Sequence, residues 1–142
     1  MIIVSACLAG FNCRYDCTNS YNKLIAEMVI NKKAFPVCPE QMGGLPTPRP
    51  SCEIKNGDGN DVLNDKAKVI TIYGDDITAK IIKGSEEVLK LAKMIGAKEA
   101  VLKEKSPSCG VTKIYRNGEI VSGMGVCAAM LKREGIDVTP PE

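Results

Sequence analysis

Short β-rich runs that each lead into a cysteine constrain this chain more than any other feature. Ile2–Ala6 (IIVSA) ends at Cys7, Ala34–Val37 (AFPV) ends at Cys38, and Glu99–Lys103 (EAVLK) leads into the EKSPSCG segment that holds Cys109. The first run is apolar and β-branched without alternation, the pattern of a strand buried on both faces in a parallel sheet. Helical spacing falls between the runs. Tyr21, Leu24, Ile25, Met28 and Val29 recur at intervals of three and four, with Asn19 or Ser20 placed to cap them. Ile77, Ile81, Val88, Leu89, Ala92 and Ile95 form the apolar face of a longer helix, with Asp75 and Asp76 at its start and Gly96 at its end. Lys68–Tyr73 (KVITIY) reads as a strand, and Ile114–Val121 as a hairpin turning at Asn117-Gly118. Val126–Arg133 reads as a short helix and Ile136–Val138 as a last strand. Residues 39–54 hold four of the eight prolines and are expected to form a loop, neither helix nor central strand.

This alternation predicts an α/β fold: a single domain over residues 1–142, with a mostly parallel, Rossmann-like sheet flanked by helices on both faces and a small β-hairpin near the C-terminus. In such open sheets ligands bind at the carboxyl edge of the strands. Cys7, Cys38 and Cys109, far apart in sequence, are therefore expected to meet on one rim.

Composition removes several chemistries. The chain has no His, which excludes Ser-His and Cys-His catalysis, His-ligated zinc and any imidazole base. Nineteen Lys and Arg stand against 17 Asp and Glu, and a net charge of +2 provides no basic face for a nucleic-acid duplex. With no Trp and two Phe, a stacking platform for single strands has little to build on. The opening MIIVSACLAG lacks a basic segment before its apolar run, and no apolar stretch approaches a membrane span. A cytoplasmic protein with no membrane partner is expected. Thiols stay reduced there, and an odd count of seven cysteines argues against a disulfide framework.

The cysteines divide by context. Cys52 and Cys127 read as packing residues, since free Cys is often a small buried hydrophobe. Cys13 and Cys17 fit either role. Cys7, Cys38 and Cys109 sit in Gly, Pro and Ser loop chemistry, where function concentrates. No C-x-x-C occurs, so zinc ribbons, thioredoxin-like pairs and ferredoxin runs are excluded, and position 20 is Ser where a radical-SAM triplet after Cys13 and Cys17 needs Cys. Three dispersed thiolates without His leave open a metal cluster with one exposed metal. Glu40 and Ser106 stand beside the same rim. A carboxylate there can act as a general base and a serine hydroxyl can relay a proton, although Ser106 and Ser108 equally suit turn backbone in Ser-Pro-Ser. Arg14, Asp16 and Arg49 are candidates for holding a polar or anionic substrate, with an Arg14–Asp16 salt bridge as the plain alternative. Gly43-Gly44 and Gly57-x-Gly59 match no phosphate loop, and neither is expected to precede a helix.

Three blocks, SACLAGFNCRYD at 5–16, PVCPEQMGGLPTPRP at 36–50 and LKEKSPSCG at 102–110, together resemble the signature blocks of the thiouracil desulfidase family. The resemblance continues through GDDIT at 74–78 and GMGVCAAMLKREGI at 123–136. It implies a thiouracil desulfidase-like domain with a 4Fe-4S cluster held by Cys7, Cys38 and Cys109, one iron being left for the substrate's sulfur. It implies Glu40 and Ser106 as the proton-handling residues, a thiolated pyrimidine or similar small heterocycle as substrate, hydrosulfide as product, and iron–sulfur assembly machinery as a partner. The chain departs from the family pattern at Cys17, where Gly is usual, and at Cys52, where Pro or Ala is usual. Two other readings remain: a non-catalytic zinc module closed by Cys7, Cys13, Cys38 and Cys109, and a persulfide sulfurtransferase using one low-pKa cysteine.

Overall fold

The computed structural model describes residues 1–142. β1 (Ile2–Ser5) runs into a 3-10 turn over Ala6–Ala9 and, after a loop, α1 (Lys23–Ile30). β2 (Ala34–Val37) leads directly into the four-residue α2 (Pro39–Met42). Next come β3 (Cys52–Lys55), α3 (Gly59–Leu63), β4 (Lys68–Thr71) and the long α4 (Thr78–Met94). The chain finishes with β5 (Glu99–Val101), β6 (Lys113–Arg116), β7 (Glu119–Ser122), α5 (Val126–Arg133) and β8 (Asp137–Thr139). The main sheet has the order β2-β1-β5-β8, and all its pairs are parallel. β3 with β4, and β6 with β7, form two separate antiparallel pairs.

β1 explains why its run is apolar throughout. Successive strand residues point to opposite faces. Ile3 packs with Val88 and Ala92 of α4 and with Cys127, Ala128 and Leu131 of α5, whereas Val4 packs with Leu8 and Ile25 on the other side. Both are wholly inaccessible, and burial of such a side chain is worth about 1.5–3 kcal/mol. A third core joins Ile54 and Val69 of the β3–β4 pair to Ile81 of α4, Ile114 of β6 and Val126 of α5. The antiparallel pairs are thus packed against the helices. Asn117 and Gly118 both take positive φ, 52° and 79°, as a two-residue hairpin turn requires.

Several expectations need correction. Residues 39–54 are not simply loop. Pro39 occupies the first turn of α2, where its missing N–H has no helical partner to lose, and Cys52–Lys55 forms a strand beyond the last proline. The strand from Lys68 ends at Thr71 and pairs antiparallel with β3, outside the parallel sheet, because short apolar runs do not specify their partner. Asn22, not Asn19 or Ser20, caps α1, its side chain accepting from Ile25 N at 3.2 Å. Leu24 and Tyr21 are exposed. α4 starts at Thr78 rather than directly after Asp76, although Asp76 Oδ1 accepts from Thr78 N at 2.9 Å. Gly59 opens α3, so one of the glycine pairs does meet a helix.

The placement of α2 depends on two glycines. A Cβ on Gly84, in the middle of α4, would lie 1.7 Å from the carbonyl oxygen of Pro39, and one on Gly43 would lie 2.0 Å from that of Lys80. Glycine weakens a helix interior by about 1 kcal/mol, and here that loss permits close backbone approach. Gly84→Ala is expected to destabilise by about 2–3 kcal/mol, as overpacking does, and to displace α2 with the residues it carries. Thermal melts should show the loss, and an unchanged melting temperature would contradict the close contact.

Candidate active site

The carboxyl ends of β1, β2 and β5 open into one cavity of about 510 Å³. Cys7 reaches it from the 3-10 turn after β1, Cys38 from the N-cap of α2, and Cys109 from the loop after β5. Glu40 and Ser106 line it as well, so the sequence-predicted residues do come together. The Cys109 loop is held by α5. Val126 N donates to Pro107 O, and Cys127 N and Ala128 N donate to Ser108 O, at 2.8–3.1 Å. Loop carbonyls therefore satisfy helix N–H groups that no side chain caps.

Glu40 is engaged on both oxygens. Arg49 Nε donates to its Oε2 at 2.9 Å, and Arg49 Nη2 donates to the same oxygen. Ser108 Oγ donates to Oε1 at 2.8 Å. The remaining Arg49 donors go to Cys13 O at 3.0 Å, Thr47 Oγ1 at 2.8 Å and Pro46 O at 3.2 Å. The Arg49 side chain is only 5% exposed. Its whole guanidinium fork is spent inside the protein, so Arg49 is not the free cation for a substrate that the sequence suggested. It instead joins the Cys13 loop to the helix carrying Glu40. Arg14 does line the cavity, but its Nη1 donates to Thr18 Oγ1. Asp16 accepts from the same Thr18 and lies outside the cavity lining, and no Arg14–Asp16 salt bridge forms.

Three cysteines are placed in ways the sequence left open or misjudged. Cys13 is buried in the cavity wall and packs in one cluster with Cys7 and Cys38, and the Cys38 thiol donates to its carbonyl oxygen at 3.9 Å. The Cys38 contact favours its thiolate, but the Cys7 contact and burial outweigh it and raise Cys13 to about 11. The bond with Cys13, then burial, pushes Cys38 well above the ordinary thiol range, and burial foremost does the same for Cys109. Cys52, expected to be plain packing, is half-buried on β3 and lines the cavity, its thiol raised to about 12 by burial. Cys127 is the packing residue expected, fully buried among α4 and α5 side chains. Cys17 is exposed and stands apart from the cavity lining.

Glu104, which no sequence motif singles out, fixes the Cys109 loop. Its Oε1 accepts from Val111 N at 2.7 Å, Thr112 N at 2.9 Å and Lys113 N at 3.3 Å, and its Oε2 accepts from the Thr112 hydroxyl. Burial acts to raise its pKa, but these bonds outweigh burial and hold the carboxyl below its ordinary value. A depressed carboxylate contributes stability above its unfolded pKa, and that stability disappears as pH falls through the folded one. Glu104→Gln is therefore expected to lose about 2 kcal/mol at neutral pH and to flatten the acid limb of the stability curve. Urea melts across pH 3–7 check this, and parallel wild-type and variant curves would count against it.

The sequence pattern of the family described as 2-thiouracil desulfurase matches residues 2–142. The chain belongs to the 2-thiouracil desulfurase family. Among relatives of this family, YbbK of Bacillus subtilis strain 168, an uncharacterized protein, is 45% identical over 141 residues, 97% of this chain and 93% of its own. Among solved structures, the 4Fe-4S-dependent thiouracil desulfidase TudS is 39% identical with a TM-score of 0.86, covering 98% of this chain and 89% of that one. No helix of this desulfurase-family chain is long and apolar enough to cross a membrane.

Proposed function

We propose that the protein removes sulfur from a small thiolated heterocycle, a thiopyrimidine such as thiouracil, with Cys7, Cys38 and Cys109 holding a 4Fe-4S cluster. The observation that carries this reading is the meeting, in one cavity, of three thiols from three separate loops with a carboxylate and two serines. The likeness to a 4Fe-4S-dependent desulfidase over nearly the whole chain supports it.

The donor set fits a cluster. Cys thiolates are the ligands such clusters take, and Cys7, Cys38 and Cys109 all line this cavity. All seven cysteines are free, which fits a reducing cytoplasm and a cluster delivered by iron–sulfur assembly machinery.

Bound there, the cluster supplies a Lewis-acidic iron that polarises a thione. The protein's side chains do the rest. The Glu40 carboxylate takes a proton from a water directed at the thione carbon and returns it to the departing sulfur. Arg49 and Ser108 hold that carboxylate in one orientation, and Ser106 completes the hydrogen-bonded chain. The net reaction converts thione and water into carbonyl, hydrosulfide and a proton, the proton leaving the added hydroxyl as the carbonyl forms.

Anaerobic reconstitution tests the reading. Iron, labile sulfide and visible absorption should appear together, and 2-thiouracil should yield uracil and sulfide. A loaded cluster without sulfide release would refute the desulfidase reading. Zinc without iron would favour the structural module, and activity without iron would favour the sulfurtransferase.

A further inference from the structure

The two serines flanking Pro107 support an inference that deepens the desulfidase reading and rests on it. Ser106 Oγ accepts from the backbone N–H groups of Ser108 at 3.2 Å and Cys109 at 3.1 Å. A hydroxyl has two acceptor lone pairs and one hydrogen. Both lone pairs of Ser106 are thus engaged, and its hydrogen is left for Ser108 Oγ, 3.1 Å away. Ser108 also has one hydrogen, which goes to Glu40 Oε1 at 2.8 Å, since Cys109 Sγ at 4.0 Å is too far to compete. The bonds therefore run in one direction, from Ser106 through Ser108 to Glu40. Ser106 makes no hydrogen bond to Glu40 itself, and Ser108 is 1% exposed.

We propose that Ser108 is a positioning residue for the Glu40 carboxylate and that Ser106 acts on the reaction through it, so that the three side chains work as one unit. With its lone pairs filled, Ser106 is a poor acceptor for a proton from water. Protons enter and leave at Glu40, and neither serine changes its proton count. Glu40 ends the cycle as the carboxylate it began as. Arg49 grips one oxygen and Ser108 the other, so losing the Ser108 hydroxyl releases one carboxylate oxygen, and losing the Ser106 hydroxyl removes the bond that orients Ser108 toward it. Misplacement of about 1 Å at a reacting group reduces rate about 10²-fold.

The test is a double-mutant cycle on anaerobically reconstituted protein, with iron content measured in each preparation. Ser106→Ala and Ser108→Ala are each expected to lower kcat about 10²-fold with KM little changed, and the double variant to be no worse than the poorer single one. Multiplied losses, about 10⁴-fold together, would overturn the proposal by showing separate roles. Wild-type kcat in Ser108→Ala would overturn it too. A second measurement needs neither cluster nor Ser108 variant: the ¹³C resonance of the Glu40 carboxyl in cluster-free protein. Ser106→Ala removes no atom hydrogen-bonded to Glu40, yet it is expected to move that resonance, and an unmoved resonance overturns the linkage. If reconstituted wild-type protein releases no sulfide, the desulfidase reading fails while this resonance still decides the linkage.

Discussion

Cys7→Ser, Cys38→Ser and Cys109→Ser should each fold and each lose most of their iron after anaerobic reconstitution. The three thiols come from three different segments at the carboxyl edge of the sheet, so each anchors the proposed cluster from its own part of the chain. Serine keeps the shape but is a poor iron ligand beside thiolate. Cys127→Ala is the matched control. Its sulfur lies in the core between α4 and α5, and truncation there should lower stability by about 1–2 kcal/mol with iron unchanged. Cys13 provides a sharper contrast because it packs in one cluster with both Cys7 and Cys38. Cys13→Ser should retain iron, since the proposed cluster takes three protein thiolates and Cys13 is not among them. Iron and labile sulfide per folded chain decide the matter. Bleaching by Cys127→Ala with iron retained in Cys7→Ser would refute the strand-end assignment.

Much of this arrangement is legible in the sequence for one physical reason. A parallel strand buried on both faces leaves an unbroken apolar run, and the loop at its carboxyl end is where function gathers. Cys38 directly follows β2 and Cys7 lies two residues beyond β1, so strand position alone places both on the rim. The hairpin at Asn117-Gly118 and α5 were legible for equally local reasons. What failed was long-range. Nothing in Lys68–Thr71 says that it pairs with a strand beyond a proline-rich segment instead of joining the parallel sheet. Arg49, nine residues from Glu40, and Ser108, 68 residues away, reach the same carboxylate only through the fold. Gly84 carries no motif at all, because its meaning is the carbonyl of Pro39 against its backbone.

Glu40→Gln should separate cluster assembly from chemistry. Glutamine keeps the shape of the side chain and removes the basic oxygen, so turnover should fall by about 10²-fold or more. Iron and sulfide content should stay near normal, because the cluster's three proposed ligands are untouched. Stability will not be spared. Arg49 and Glu40 have side chains only 5% and 13% exposed, and the substitution leaves a largely buried guanidinium without its counter-charge. Removing one member of such a pair costs about 3 kcal/mol. The amide also presents a donor to either Arg49 or Ser108, both of which donate to Glu40 in the native protein. The expected result is thus a cluster-bearing, less stable and nearly inactive protein. If Glu40 were instead a cluster ligand, Glu40→Gln would lose or alter the cluster. If it were only a structural partner of Arg49, the melting temperature would fall while turnover per folded molecule stayed intact. Cluster content, melting temperature and sulfide release measured on one preparation distinguish the three, and full activity in Glu40→Gln would rule out Glu40 as the base.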